Sequence, residues 1–219
     1  MAEGSSKVIK IMVLGDPGVG KTSIIKRYVF NVFPEHHKTT IGVDFATAYV
    51  QAKNGERVQI QLWDIAGQER FGSISRVYYK DSFGVLLVYD ITKPKTFETV
   101  ERWKSEIDSK ISLPNGEPLP VLLLGNKKDK DVGDVDDSAM DDYVNDMGMI
   151  GWCDVSAYDG TNLKRSDRGA GGGEEEDAIL VLVNNILEHE GIFEKQDKDR
   201  GTFIPGLTKG MEGGCCSSG

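Results

Sequence analysis

A glycine-rich segment that ends in Lys-Thr carries the most specific chemistry in the sequence. The pattern G-x-x-x-x-G-K-[ST] is matched in full by Gly15-Asp16-Pro17-Gly18-Val19-Gly20-Lys21-Thr22. Glycines at these positions let successive backbone N–H groups surround phosphate oxygens. The Lys21 ammonium then reaches the β- and γ-phosphates, and the Thr22 hydroxyl binds magnesium. We therefore expect residues Gly15 to Ser23 to bind the phosphates of a nucleotide.

A second motif, Asp-x-x-Gly, follows an apolar stretch that has the pattern of a strand. It is formed by Asp64 and Gly67, and Gln68 comes directly after it. A carboxylate at the end of a strand can hold magnesium through a water molecule, and the Gly67 amide can bind the γ-phosphate. Gln68 is then placed to orient an attacking water. Alone, this pattern is typical of an ordinary turn, but its position after the glycine-rich loop favours the functional interpretation.

A third motif, Asn126-Lys127-Lys128-Asp129, indicates which base the nucleotide carries. The Asp129 carboxylate can accept hydrogen bonds from the guanine N1–H and from the exocyclic amine, whereas adenine presents no matching donors. The aliphatic part of Lys127 can cover the face of the base. The pair Ser156-Ala157 comes after the last strand-like segment, where the Ala157 amide can donate to guanine O6.

The elements that must position these motifs alternate along the chain between strand and helix patterns. Such alternation predicts a doubly wound α/β sheet with one antiparallel edge pair, and ligands then bind beyond the carboxyl ends of the strands. The predicted strands are Val8 to Leu14, Val43 to Ala52, Val58 to Ile65, Gly84 to Tyr89, Pro120 to Leu124 and Trp152 to Val155. The predicted helices are Thr22 to Phe30, Lys95 to Ile111 and Asp177 to Glu190.

Composition excludes several classes of protein. The 219 residues suit one domain with a tail, and the net charge of −9 argues against broad electrostatic binding of nucleic acid. The polar segment Met1 to Ser6 is followed directly by a predicted strand, so we expect no secretory signal. There are three cysteines, two of them adjacent near the C-terminus, which is no disulfide framework. A reducing cytosol is therefore the expected compartment.

The predicted organisation has three parts. Residues 1–6 form a flexible N-terminus, residues 7–190 form the nucleotide-binding domain, and residues 191–219 form a flexible tail. Residues 161–176 read as an insertion within the domain, because a run of glycines is followed there by Glu174 to Glu176. This composition is typical of a disordered surface loop.

Taken in this order, the four motifs resemble those of the Ras superfamily of GTPases. The segments Thr39 to Phe45 and Trp63 to Phe71 are similar to the Rab branch. The resemblance implies the P-loop small GTPase fold, an α/β fold with a mostly parallel six-stranded sheet, one antiparallel edge pair and helices on both faces. It also implies GTP and GDP as ligands and Mg²⁺ as cofactor.

The same resemblance assigns roles to single residues. It implies that Thr40 binds magnesium when the γ-phosphate is present, together with Thr22 and with Asp64 through a water. It implies that Phe33 packs edge-on against the guanine. The implied surface for effector proteins consists of Ile41, Phe45, Trp63 and Tyr78.

The implied reaction is an in-line attack of water on the γ-phosphate. Gln68 positions the water, while Lys21 and magnesium stabilise the negative charge that spreads over the phosphoryl group. The sequence offers no identifiable arginine that would act on the γ-phosphate in cis, so we expect slow hydrolysis.

The resemblance implies a monomer that regulates membrane traffic. Its implied partners are a nucleotide exchange factor, a GTPase-activating protein, effectors, a GDP dissociation inhibitor and the prenylation machinery. Ile65 and the stretch Ser109 to Gly116 are most similar to the Rab subgroup that serves lysosome-related organelles.

The tail predicts how the protein reaches a membrane. Rab proteins with a cysteine pair such as Cys215-Cys216 carry a geranylgeranyl group on each cysteine. One lipid chain alone gives only marginal anchoring. Acidic residues outnumber basic ones between Glu188 and Glu212, so a polybasic patch cannot replace the second chain. We expect the cytoplasmic face of an intracellular membrane, with a soluble cytosolic pool.

Pro17 departs from the usual phosphate loop, because it has no N–H and a fixed φ close to the γ-phosphate position. It keeps open an alternative function, a GTP-binding scaffold with negligible hydrolysis. A different P-loop enzyme, such as an ATPase or a nucleotide kinase, is the other alternative, and the Asn126 to Asp129 motif argues against it.

Overall fold

The computed structural model describes residues 7–34, 40, 42–66, 76–130, 136–163 and 177–189. The strands are β1 (Val8–Leu14), β2 (Val43–Gln51), β3 (Arg57–Ile65), β4 (Gly84–Asp90), β5 (Val121–Asn126) and β6 (Gly151–Val155). The helices are α1 (Lys21–Phe30), α2 (Arg76–Tyr79), α3 (Pro94–Phe97), α4 (Val100–Lys110), α5 (Asp137–Asp146) and α6 (Ala178–Glu188). Within those ranges, every helix is too short or too polar to cross a lipid bilayer.

All the strands join one six-stranded sheet in the order β2-β3-β1-β4-β5-β6. Every neighbouring pair is parallel except β2 and β3, which form an antiparallel hairpin at one edge. Gly55 has φ +81 in the turn between those two strands, where the sequence is Asn54-Gly55, a pair that is typical of a tight hairpin turn. The predicted α/β sheet, including its antiparallel edge pair, is therefore confirmed.

The middle of the sheet forms the core. β4 and β5 are buried along their whole length, because these central strands are rich in Val and Leu and are covered on both faces. Helix α6 packs against β4 so closely that a Cβ on Gly84 would lie 2.8 Å from Cδ1 of Ile186. A continuous apolar core thus holds the strand ends, and the loops that follow them, in fixed positions.

The predicted helix over Lys95 to Ile111 is wrong as a single element, because the structure divides it into α3 and α4. Glu98 and Thr99 form a turn between them. The Thr99 hydroxyl lies 2.9 Å from the carbonyl oxygen of Thr96 and 3.0 Å from Oδ2 of Asp16. Thr99 is therefore turned toward the loop after β1 instead of continuing the first helix.

Helix α5 was missed by the sequence analysis. Asp136 caps it by accepting a hydrogen bond from the Ala139 amide at 3.2 Å, and only Met140 and Val144 are buried. Most of its residues are acidic or polar, so the apolar spacing that indicates a helix is weak. The Asp-Asp-Ser start was the available signal, since Asp is a favoured N-cap.

The predicted insertion begins later than residue 161. Thr161 accepts a hydrogen bond from the Ser156 amide at 3.1 Å through its carbonyl, and the Asn162 carbonyl accepts one from Ala178 at 3.1 Å. Leu163 is 3% exposed and belongs to the core. Residues 161–163 are therefore not part of a disordered loop, because they close the turn after β6. Residues 164–176 lie outside the described residues.

Candidate functional site

The predicted motifs meet where the parallel strands end. Asp64 in β3 is in register with Val13 in β1, and Asn126 in β5 is in register with Asp90 in β4. The loops after β1, β4, β5 and β6 therefore lie beside one another at one edge, which is the usual ligand position in such sheets. We call residues 15–22 with Thr40 and Asp64 the phosphate side, and Asn126, Lys127, Asp129, Ser156 and Ala157 the base side.

Two glycines of the loop after β1 are required by close packing. Gly15 has φ +135, and a Cβ there would lie 2.1 Å from the Val88 carbonyl oxygen. Gly20 has φ +102, and a Cβ there would lie 2.2 Å from Nδ2 of Asn126. Both are left-handed positions that a side chain would strain. The loop can therefore turn directly into α1, whose first residue is Lys21.

Lys21 lies inside this loop with its side chain nearly covered, at 6% exposure. Its Nζ donates to the carbonyl oxygens of Gly15 at 2.7 Å and Asp16 at 2.9 Å. Burial lowers the pKa of Lys21 to about 8, although the nearby carboxylates of Asp64 and Asp16 favour the charged form. Phosphate groups would add to that favourable negative field and raise the pKa again.

Three oxygens cluster beside Lys21. The Thr22 hydroxyl donates to Oδ2 of Asp64 at 2.5 Å and lies 2.7 Å from the Thr40 hydroxyl. The Thr40 hydroxyl is 3.4 Å from the same Asp64 oxygen. Burial raises the pKa of Asp64, and the hydrogen bonds from the threonines oppose that rise. A hard divalent cation prefers such hydroxyl and carboxylate oxygens.

The second carboxylate oxygen of Asp64 indicates whether a cation fits at this position. This oxygen, Oδ1, is buried and has no hydrogen-bond partner among the described residues. A buried unpaired carboxylate oxygen is costly unless a ligand or a cation satisfies it. The residues present on the phosphate side therefore fit a magnesium ion.

The base side is held together by Asn126, which is 1% exposed. Its Nδ2 donates to the Val19 carbonyl at 2.7 Å, and its Oδ1 accepts from the Ala157 amide at 3.2 Å. Asn126 thus links the phosphate loop to the loop after β6. The Ala157 amide is the predicted donor to guanine O6, and in this structure it donates to Asn126.

Asp129 is mostly buried, and its position is fixed by a neighbour on the base side. The Ser156 hydroxyl donates to Oδ1 of Asp129 at 2.9 Å, and the Lys130 ammonium lies 3.4 Å from Oδ2. Phe33 comes from the loop after α1, and its ring meets that of Tyr158 edge-on with centroids 5.3 Å apart. Asp129 and Phe33, which are both predicted to contact the base, therefore lie at the same end of the sheet.

Asp90 is a site residue that sequence reasoning missed. It is fully buried at the end of β4, and its carboxylate accepts from Nζ of Lys127 at 2.6 Å and from the Thr92 hydroxyl at 2.6 Å. Burial alone raises the pKa of Asp90, but these hydrogen bonds together outweigh it, so the pKa lies below its usual range. An acidic residue that ends a buried strand was the signal, as it was for Asp64.

Arg27 was missed as well. Its Nε donates to the Ala157 carbonyl at 2.8 Å, and its NH2 group donates to the Tyr158 carbonyl. A residue of α1 therefore holds the loop after β6. Nothing in its sequence pattern distinguishes Arg27 from an ordinary exposed helix residue.

Two residues of the predicted effector surface pack on each other. The rings of Phe45 and Trp63 are stacked across β2 and β3 with centroids 5.3 Å apart, and Nζ of Lys10 lies 4.0 Å from the Trp63 ring centroid. Phe45 is 53% exposed and Tyr78 is 36% exposed.

The predicted residues Ile41, Gly67, Gln68, Cys215 and Cys216 lie outside the described residues.

Comparison with known proteins agrees with this geometry. The Ras family model matches residues 10–167. Ras-related protein Rab-32 of Sus scrofa is 44% identical over 90% of this chain and 82% of its own length. Rab-32A of Dictyostelium discoideum is 44% identical over 90% of this chain and 85% of its own. Rab-7L1 of Rattus norvegicus is 37% identical over 95% of this chain and 97% of its own. The chain therefore belongs to the Ras family and, within it, to the Rab small GTPases.

Proposed function

We propose that this Rab GTPase, whose family regulates membrane traffic with GTP, GDP and Mg²⁺, binds guanine nucleotide across the phosphate and base sides and hydrolyses GTP slowly. Thr22, Thr40 and Asp64 are the proposed magnesium residues. The single observation that carries the proposal is the buried Oδ1 of Asp64, which has no partner among the described residues. The other oxygen of this carboxylate, Oδ2, accepts from the Thr22 hydroxyl at 2.5 Å and lies 3.4 Å from the Thr40 hydroxyl, and those two hydroxyls are 2.7 Å apart.

On the phosphate side, the residues are proposed to neutralise the negative charge of the phosphate groups. A bound magnesium ion supplies positive charge that stabilises a transferring phosphoryl group. Lys21 supplies a second positive charge at the loop, and the amides that follow Pro17 supply dipoles. Because the lysine is already fixed by two carbonyls, it needs little reorganisation when a phosphate arrives.

On the base side, the proposed selectivity for guanine rests on Asp129. A carboxylate held by Ser156 can accept from both guanine donors at once, and an adenine would leave it buried without donors. Lys127, held by Asp90, is proposed to cover the face of the base with its aliphatic stem. Phe33 is proposed to contact the base edge-on.

The test is a competition measurement. Purified protein is loaded with labelled GTP in magnesium, and unlabelled GTP, GDP and ATP are added in turn. We expect GTP and GDP to displace the label at far lower concentration than ATP. Displacement by ATP at a comparable concentration would favour an ATPase or a nucleotide kinase and would overturn the proposal.

Hydrolysis is proposed to depend on Gln68. A magnesium-dependent single-turnover assay of the parent protein and of Gln68→Leu measures the hydrolysis rate. We expect a slow rate in the parent and a lower rate in the variant.

A second function, a GTP-binding scaffold without hydrolysis, is favoured by Pro17, which is exposed in the loop and lacks an N–H. Equal rates in the parent and in Gln68→Leu would support the scaffold. Equal rates in the parent and in Pro17→Gly would mean that the ring does not alter turnover.

Membrane attachment is proposed to occur through lipids on Cys215 and Cys216, with prenylation machinery and a GDP dissociation inhibitor as partners. An exchange factor, a GTPase-activating protein and effectors are the regulators that the Rab family implies. The proposed location is the cytoplasmic face of an intracellular membrane, with a soluble pool in the cytosol. The double variant Cys215→Ser, Cys216→Ser is expected to bind GTP normally and to be absent from the membrane fraction. Recovery with membranes at the parent level would contradict the lipid anchor.

A further inference from the structure

The carboxylate of Asp16 contacts residues at the start of α4. Nε1 of Trp103 donates to Oδ1 of Asp16 at 2.9 Å, and the Thr99 hydroxyl donates to Oδ2 at 3.0 Å. The guanidinium of Arg102 lies 3.5 Å from Oδ1. Thr99 directly precedes α4, and the other two residues belong to its first turn. The start of one helix thus provides two hydrogen bonds and one ion pair to a single loop residue.

These contacts are not required by the phosphate-binding motif, which accepts any residue at the second position. A carboxylate beside the phosphate loop would repel phosphate oxygens if its charge were uncompensated. The indole N–H, the hydroxyl and the guanidinium together draw that charge toward α4. They also make Asp16 the link between the loop and the helix.

The same residue supports Lys21 through its backbone. The Asp16 carbonyl accepts a hydrogen bond from Nζ of Lys21 at 2.9 Å. Any shift of Asp16 toward or away from α4 therefore moves a carbonyl that positions the ammonium. Helix α4 and the lysine are thus connected by one residue whose side chain and main chain are both held.

Trp103 is the firmest of the three donors. Its side chain is 5% exposed and is part of the core, so packing fixes the direction of its N–H. The Thr99 hydroxyl has a single proton and is also within 2.9 Å of the Thr96 carbonyl, so the two acceptors share it. Arg102 is 58% exposed and its contact is screened by solvent.

We propose that Trp103 is a positioning residue for nucleotide binding, which acts through Asp16 so that α4 slows the release of GDP. The inference rests on the proposed function, because it assumes that the loop holds phosphates. When the indole N–H is absent, Asp16 loses its best-ordered partner and the loop carries a less compensated charge. Nucleotide then leaves faster while the fold is retained.

The test compares two tryptophans that make the same kind of bond. Trp103→Phe removes the donor and keeps an aromatic ring in the core. Trp152→Phe is the matched control. Trp152 lies on β6, and its Nε1 donates to Oδ1 of Asp141 on α5 at 2.8 Å. Release of a fluorescent GDP into excess unlabelled GDP is measured in magnesium, and the melting temperature of each variant is recorded.

We expect Trp103→Phe to release GDP about tenfold faster, as for loss of a hydrogen bond to a charged group, and Trp152→Phe to match the parent. Asp16→Ala, on a less buried residue, is expected to accelerate release as well. In the Asp16→Ala background, Trp103→Phe should have little further effect, because both changes remove one contact.

Two results would overturn the inference. One is GDP release from Trp103→Phe at the parent rate. The other is an equal acceleration by Trp103→Phe with and without Asp16, which would mean that the tryptophan acts by packing alone. If Trp103→Phe does not fold, the rate for Asp16→Ala decides, and an unchanged rate there overturns the inference. Failure of the parent protein to bind GDP would instead reject the proposed function itself.

Discussion

The two halves of the site differ in how their polar groups are satisfied. On the base side, Asn126, Asp129 and Ser156 each have a hydrogen-bond partner within the described chain. On the phosphate side, Asp64 keeps one buried oxygen without a partner in the described ranges. The base side is therefore preorganised by the protein itself, whereas the phosphate side has a buried oxygen that a ligand or a cation can satisfy. This contrast predicts selectivity from the first half and cation dependence from the second.

The largest expected effect is on the base side. Asp129→Ala removes the proposed acceptor for both guanine donors, so we expect the preference for GTP over ATP to fall by on the order of 10⁴. Competition binding with both nucleotides measures the ratio. Asp141→Ala, which removes an exposed carboxylate bonded to Trp152, is the control and should keep the parent ratio. An unchanged preference in Asp129→Ala would mean that selectivity for guanine comes from elsewhere.

A smaller effect is expected where the base side meets β4. Asp90→Asn keeps the shape of the side chain but removes the charge that holds Lys127 at 2.6 Å. We expect GDP to bind about tenfold more weakly, as for loss of a charged hydrogen bond. The matched control is Asp108→Asn, since Asp108 accepts from Lys104 at 2.5 Å on α4. Equal GDP affinity in both variants would show that the Lys127 contact does not support the base.

The phosphate side should respond to pH. Because burial lowers the pKa of Lys21 to about 8 and phosphate binding raises it, the bound state takes up a proton. GDP affinity is then greatest below about pH 8 and falls above it, by at most about tenfold per pH unit. Calorimetry in buffers with different ionisation enthalpies measures the proton uptake. Lys21→Arg keeps its charge and should remove the pH dependence, whereas a parent affinity that rises with pH would contradict this origin.

The smallest expected effect is that of Ser156→Ala. Its hydroxyl donates to Asp129 and accepts from the Asp159 amide at 3.2 Å, so the proposed contact of Asp129 with the base remains after the substitution. We expect GDP affinity to fall about fivefold and the GTP-to-ATP preference to remain high. A loss of preference as large as that of Asp129→Ala would mean that Ser156 contacts the base directly.

Much of this account was available from the sequence. The strands, the hairpin at Gly55 and the position of each motif at a strand end follow from apolar runs and turn residues, and the structure agrees. The contacts of Asp16, Asp90 and Arg27 were not predictable in this way. They join residues far apart in the chain, and no local pattern encodes such pairings. Helix α5 was missed because tertiary packing of Met140 and Val144, more than local periodicity, defines it.

The hydrogen-bond network of the base side also alters one detail of the predicted site. The Ala157 amide donates to Asn126 in this structure, although the motif alone directs it to guanine O6. At 3.2 Å this is a long bond for an amide donor. Guanine would therefore compete with Asn126 for that donor, which a sequence motif cannot reveal.

If Asp64 makes the phosphate side dependent on magnesium, the release of GDP from the parent and from Asp64→Ala must respond differently to a chelator. In the parent protein, removal of Mg²⁺ is expected to speed GDP release by roughly 100-fold, because the positive charge that the metal supplies to the phosphates is lost. In Asp64→Ala, release should already be fast and should change little on chelation. Asp44→Ala removes the exposed carboxylate of the residue opposite Asp64 in the β2–β3 register. It takes away a nearby like charge but no proposed magnesium residue, so GDP release from this variant should still speed up on chelation. If GDP release from Asp64→Ala responds to chelation as strongly as release from the parent, the magnesium dependence does not come from Asp64.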